Sequence, residues 1–170
     1  MNRRHFIRFS TTSIVFLGIS GHTILRADHG SIKKIKLSRE EWRQRLTPDQ
    51  FSILRDAGTE YPYSSKLNHE KRPGTYHCAG CHLPLFSSKA KYDSGTGWPS
   101  FFEAIPGHTE TKIDFKLIYP RTEYHCARCG GHQGHLFDDG PDPTGQRWCN
   151  NGLALTFVSQ SGASQESADS

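Results

Sequence analysis

Five cysteines carry most of the chemistry available to this 170-residue chain. Four of them form two C-x-x-C pairs, Cys78-Ala79-Gly80-Cys81 and Cys126-Ala127-Arg128-Cys129. Each pair can present two thiolates from one turn, and four thiolates at tetrahedral corners suit a zinc ion. The pairs share a flank, Tyr76-His77 before the first and Tyr124-His125 before the second, as two equivalent knuckles would. This favours one structural zinc per chain over two disulfides, which an oxidising compartment would permit. The long gap between the pairs means that the metal must tie distant parts of one domain together. Four cysteines complete the tetrahedron, so His77, His82 and His125 are read as surface or supporting groups.

Cys149 is left over, since five cysteines cannot all pair. It stands in Arg147-Trp148-Cys149-Asn150-Asn151, ahead of a strand-like run at 153–158. A strand starting at Arg147 puts Arg147, Cys149 and Asn151 on one face, which continues into Leu153, Leu155 and Phe157. A guanidinium beside a thiol moves it toward thiolate, the nucleophilic form. The competing reading is a buried structural cysteine. His132 and His135, three apart in the glycine-rich stretch 130–141, can move protons near neutral pH, hold a second metal, or be polar loop residues. Trp98, in Ser94-Gly95-Thr96-Gly97-Trp98-Pro99-Ser100, sits in a rigid turn, where it lines a small apolar pocket or belongs to the core.

The elements that must position these groups read as mainly β. Sixteen glycines and nine prolines favour strands and turns over a helical bundle, and an 11% aromatic content argues against disorder. Residues 40–54, with Trp42, Leu46, Phe51 and Leu54 at helical spacing, form one or two short helices broken near Pro48, which suits a first-turn position after Thr47. Beyond Tyr61, strands are expected at 74–78, 113–119 and 121–126. The length allows one domain, at 38–158, preceded by a linker at 28–37 and followed by a polar, flexible tail at 159–170.

Residues 1–27 read as an export signal. Arg3, Arg4 and Arg8 form a basic head, and residues 9–21 an apolar run too short to span a membrane. The head Asn2-Arg3-Arg4-His5-Phe6-Ile7 resembles the twin-arginine signal, which places the product outside the cytoplasm, in the periplasm, with cleavage after Ala27. The formal charge of +4 is accounted for by Arg3, Arg4, Arg8 and Arg26, with no acid beside them. The mature domain is therefore neutral, and nothing in its charge suggests nucleic acid as a partner. Removal of the signal leaves no stable membrane association.

Taken together, 94–101 (SGTGWPSF), 131–137 (GHQGHLF), 139–145 (DGPDPTG), 147–151 (RWCNN) and the two C-x-x-C pairs resemble the methionine-R-sulfoxide reductase (MsrB) family. The resemblance extends from about residue 38 to residue 157. It implies a small domain of two antiparallel β-sheets with short N-terminal helices and a structural four-cysteine zinc site. It also implies that Cys149 attacks the sulfoxide sulfur of methionine-R-sulfoxide in oxidised proteins or peptides and becomes a sulfenic acid. By the same resemblance His132 and His135 manage the sulfoxide oxygen and its proton, and Asp139 orients that network. Arg147 and Asn151 set thiol ionisation and the hydrogen-bond frame, and Trp98 packs against the substrate methyl. The expected catalyst is monomeric.

Two departures stand out. Thr96 occupies the position where many members carry a resolving cysteine, so no sulfur remains to resolve the sulfenic acid. A thioredoxin-like or other external thiol must do it. Gln133 and Trp148 stand where leucine and tyrosine or phenylalanine are more usual. Outside the resemblance two readings stay open: a zinc-stabilised binding module with Cys149 incidental, and a disulfide oxidoreductase using the C-x-x-C pairs.

Overall fold

The computed structural model describes residues 32–116 and 119–160. The export segment and all but the first two residues of the 159–170 tail lie outside the described residues. Within the 28–37 linker, Ile32, Ile35 and Leu37 pack against the core, and the Ile35 N–H donates to the Arg128 carbonyl at 2.7 Å.

Two short helices come first, each set by its own sequence. Helix α1 (Arg39–Arg45) starts on a Ser38/Glu41 capping box and helix α2 (Pro48–Asp56) on a Thr47/Gln50 box with Pro48 in its first turn. Trp42, Phe51, Ile53 and Leu54 bury the inner faces of the pair. Helix α2 ends where Ala57 turns left-handed, at φ 50°.

Among the described residues nine strands follow in chain order: β1 (Gly74–Cys78), β2 (Pro84–Ser87), β3 (Lys91–Tyr92), β4 (Ser100–Phe101), β5 (Thr109–Asp114), β6 (Arg121–Cys126), β7 (His132–Phe137), β8 (Arg147–Asn150) and β9 (Leu155–Ser159). They form a three-stranded sheet, β2-β1-β9, and a six-stranded sheet, β3-β4-β8-β7-β6-β5. Every pairing is antiparallel. The mainly β architecture of two antiparallel sheets with short N-terminal helices is the expected one. The sheets close on an aromatic core in which Phe86 and Phe101 stack at 4.2 Å and Tyr124 meets Trp148 edge-on at 4.9 Å. No helix among the described residues is long and apolar enough to cross a membrane.

Three local expectations change. The strand placed at 113–119 lies earlier, at β5, and runs to Asp114, which pairs with Arg121. Ile113 and Phe115, the apolar residues that suggested the later span, are 56% and 76% exposed. The run 153–158 is split, because residues Gly152–Ala154 form a 3-10 turn before β9 begins. The buried Glu60 carboxylate stabilises that turn by accepting the N–H groups of Gly152 (2.5 Å) and Leu153 (3.1 Å). The Cys149 face therefore ends with β8, and the chain passes to the other sheet. The histidines lie on a strand rather than in a loop.

Candidate active site

The two C-x-x-C pairs sit on near-identical knuckles, one at the end of β1 and one at the end of β6. In each, the residue after the second cysteine turns left-handed, His82 at φ 58° and Gly130 at φ 67°, and its N–H bonds the carbonyl of the first cysteine at 2.8 and 2.9 Å. The four sulfurs lie within 4.8 Å of one another, with Cys78–Cys129 at 3.7 Å and Cys81–Cys126 at 3.5 Å. A disulfide needs about 2.0 Å, and all five cysteines are free. A zinc tetrahedron with bonds of about 2.3 Å has edges of about 3.8 Å, so the donor set fits the metal. Arg55 of α2 donates to the Cys129 sulfur at 3.3 Å, and Gln133 to the Cys78 sulfur at 3.4 Å. Such N–H donors favour the anionic sulfurs that zinc requires. Because one knuckle belongs to each sheet, the cluster clamps the sheets together.

The second site is built on one face of the six-stranded sheet. Cys149 in β8 pairs with His135 in β7 on one side and with Ser100 in β4 on the other. Two residues three apart on a regular strand would point to opposite faces. Here the register between β6 and β7 shifts, with Tyr124 opposite Gly134 but His125 opposite His132, which leaves Gln133 as an extra residue. That bulge brings both histidines to the Cys149 face, their ring centroids 5.5 Å apart. Gly134 is required between them and the core, since a β-carbon there would lie 1.9 Å from the Cys149 carbonyl oxygen.

Each histidine has its own carboxylate. His132 Nδ1 lies 2.9 Å from Glu123 Oε1, both groups buried, and His135 Nε2 lies 2.8 Å from Asp114 Oδ2. Burial pulls His132 below its ordinary value against the pull of Glu123, so at neutral pH its Nδ1–H donates to the carboxylate. Burial would raise Glu123, yet the His132 contact and the Lys112 charge hold it low. The Lys116 N–H, the His135 contact and Arg121 keep Asp114 well below the carboxylate range.

Asp139 has a different partner from the expected one. It grips Arg147 through two bonds, Nε–Oδ1 at 2.7 Å and Nη2–Oδ2 at 2.9 Å, and touches neither histidine ring nitrogen. The resemblance implied a role beside the histidines; here both carboxylate oxygens of Asp139 face Arg147 of β8. Arg147 also stacks its guanidinium 4.1 Å over the Phe137 ring. Although paired with Asp139, Arg147 still favours the Cys149 thiolate. Burial pushes the thiol above its ordinary value, and Arg147 and the Thr96 hydroxyl offset that only in part.

Around the sulfur, a cavity of about 130 Å³ is lined by Trp98, Arg121, His135, Phe137, Cys149 and Asn151. Glu60 holds two of these walls. Its carbonyl accepts the Trp98 indole N–H at 3.1 Å, and its N–H donates to Asn151 Oδ1 at 3.1 Å. Asn151 in turn donates from its backbone N–H and Nδ2 to the Gln133 carbonyl, at 2.9 and 3.0 Å. The structure thus gathers Trp98, His132, His135, Arg147, Cys149 and Asn151 at one place, with Asp139 behind Arg147. Glu60, Asp114 and Glu123 are added, all three invisible to spacing because only cross-strand pairing or a distant loop brings them in.

The SelR domain model matches residues 46–159. The chain is 49% identical over 142 residues to methionine-R-sulfoxide reductase B2, mitochondrial, of Rattus norvegicus, covering 78% of this chain and 82% of that one. It is 49% identical over 134 residues to the peptide methionine sulfoxide reductase MsrB of Pseudomonas putida, covering 78% of this chain and 100% of that one. It is also 50% identical over 120 residues to peptide methionine sulfoxide reductase B1, chloroplastic, of Arabidopsis thaliana, where it spans 70% of this chain and 59% of the relative's length.

Proposed function

Since the chain belongs to the SelR-domain family of methionine-R-sulfoxide reductases, we propose that it reduces methionine-R-sulfoxide in peptides and proteins, with Cys149 as nucleophile. The observation that carries this reading is a solitary thiol facing His135 across β7 and β8, in a small cavity walled by the Trp98 indole.

The Cys149 sulfur attacks the sulfoxide sulfur while a proton reaches the sulfoxide oxygen. The sulfur–sulfur bond so formed then breaks as the protonated oxygen leaves the methionine sulfur for the Cys149 sulfur, which becomes a sulfenic acid, and methionine leaves as the thioether. His135, fixed by Asp114, supplies the proton, and His132 with Glu123 holds the oxygen or a water beside it. Trp98, fixed by Glu60, packs against the methyl group, and a flat wall on one side admits one sulfur configuration better than the other. One external thiol then displaces hydroxide from the sulfenic sulfur, giving water and a mixed disulfide. A second thiol releases Cys149 and leaves as the oxidised disulfide, so two thiols are consumed per sulfoxide. A thioredoxin-like carrier is one such source. Zinc, held by Cys78, Cys81, Cys126 and Cys129, supplies structural cross-linking and takes no part in these steps. Every group needed comes from one chain, which supports a monomeric catalyst.

The test is turnover of each pure sulfoxide epimer in a peptide, with dithiothreitol as reductant. The R epimer is expected to be consumed and the S epimer left; reduction of the S epimer alone overturns the reading. We also propose export to the periplasm, supported by the Arg3-Arg4 head and the apolar run after it. Replacing both arginines by lysine should hold the precursor inside the cell, and unchanged export would remove this part.

A further inference from the structure

Four large rings near the Cys149 cavity are left in solvent: Tyr61, Tyr63, Phe115 and Tyr119 are between 65% and 86% exposed. Their places in the chain tie them to the cavity walls. Tyr61 follows Glu60, whose backbone fixes Trp98 and Asn151, and it lies two residues after Thr59, which lines the cavity. The Tyr63 N–H donates to the Gly97 carbonyl at 2.6 Å and its hydroxyl to the Gly95 carbonyl at 2.7 Å. These bonds lay the ring along the segment that leads into Trp98. They hold Tyr63 in a left-handed backbone, φ 64°, which is uncommon for an aromatic residue.

On the other side, Asp114 accepts the Lys116 N–H at 2.9 Å, a turn that leaves Phe115 outside, next to the carboxylate that holds His135. Tyr119 comes two residues before Arg121, a cavity wall bonded to Asp114 at 2.8 Å. The Lys116 ammonium donates to the Ala57 carbonyl at 3.2 Å and so ties this turn to the segment that carries Tyr61. The cavity opens between the two, since Thr59 and Trp98 belong to one side and Arg121 and His135 to the other.

A cavity of about 130 Å³ holds a side chain and leaves outside the main chain that carries it. Pockets that enclose a whole small ligand are about 300–1,000 Å³. A peptide whose sulfoxide enters must therefore lie across the mouth, with its neighbouring residues beside these rings. Resting on the reading of this cavity as the methionine sulfoxide site, we propose that Tyr61, Tyr63, Phe115 and Tyr119 form an aromatic rim that docks an extended peptide and selects sulfoxides flanked by apolar residues. Continuity with the cavity makes the substrate chain itself the occupant. The rings gain by covering apolar neighbours. Charged neighbours would lose water and find little in return, because Arg121 is already paired with Asp114 and Lys116 with a carbonyl.

The experiment compares kcat/KM, with dithiothreitol and the zinc-loaded full chain, for two peptides of equal length in which methionine-R-sulfoxide stands between leucines or between serines. The wild type should prefer the leucine peptide about tenfold, chiefly through KM. In the double variant Tyr61→Ser, Phe115→Ser that ratio should fall to about one, whereas Tyr61→Phe, Phe115→Tyr, which keeps both rings, should retain it. A wild-type ratio near one, or a ratio kept in the double serine variant, overturns the proposal. If that variant does not fold, a ratio unchanged in Phe115→Ser alone does so instead, since this exposed ring is outside the core. Pairing of wild-type chains that the serine variant abolishes, with the peptide ratio unchanged, would give the rim to a second copy and also overturns it. Failure of the underlying reading shows separately, as a wild type that consumes neither peptide, and takes the docking rim with it.

Discussion

Cys149→Ser should lose turnover of the R epimer by about a thousandfold or more, the scale seen when a covalent nucleophile is removed. A serine hydroxyl at that position is protonated at every working pH and is a poor nucleophile toward sulfur. Nothing nearby can take over, because among the described residues the other four cysteines belong to the clamp between the sheets. The substitution is nearly isosteric, and the pairings of β8 with β4 and β7 run through the backbone. Zinc content and melting temperature should therefore stay close to wild type, which separates chemistry from folding. More than about a tenth of wild-type turnover in the variant would remove Cys149 from the mechanism.

Removal of zinc should unfold the protein rather than merely slow it. Structural zinc contributes of the order of 10 kcal/mol in small domains, comparable with the whole stability of a domain this size, about 5–15 kcal/mol. The physical cause is local. Cys78 and Cys126 are fully buried, and four sulfurs packed as closely as these need more than the donors on Cys78 and Cys129 to hold their negative charge. Arg55 and Gln133 then lose the anionic acceptors of their N–H groups. A chelator at moderately raised temperature should release one zinc per chain together with tertiary tryptophan fluorescence, and Cys126→Ser should be largely insoluble. A metal-free protein that melts within a few degrees of the holo form would show the cluster to be dispensable.

The four-cysteine cluster and the solitary fifth thiol were legible because their signals are local or arithmetical. A C-x-x-C knuckle needs only one turn of chain, and an odd cysteine is visible by counting. The helices were legible for the same reason, since Ser38/Glu41 and Thr47/Gln50 cap within three residues. The carboxylates were not. Glu123 and Asp114 reach the histidines through strand register, and Glu60 through a loop packed across the end of β8. Register here also depends on the Gln133 bulge, which spacing cannot announce and which sets both histidines on one face. The Asp139–Arg147 pair was not legible either, since the resemblance set Asp139 beside the histidines and only the structure shows its two bonds to the guanidinium. The strand expected at 113–119 failed because Ile113 and Phe115 are apolar without being buried.

The position of β8 also bears on how the chain assembles. It lies between β4 and β7, strands far apart in sequence, and is the last of the six to be synthesised. Until it docks, the sheet has a gap one strand wide with an unpaired edge on each side. The metal cross-link spans 45 positions from Cys81 to Cys126 and removes about 4 kcal/mol of chain entropy from the unfolded ensemble. It therefore favours gathering the walls of the gap before its occupant arrives. Cys149 travels on that closing segment, so a chain caught before closure has cavity walls and no thiol between them. The unfinished intermediate is thus inactive as well as sticky, and appearance of activity reports completion of the sheet.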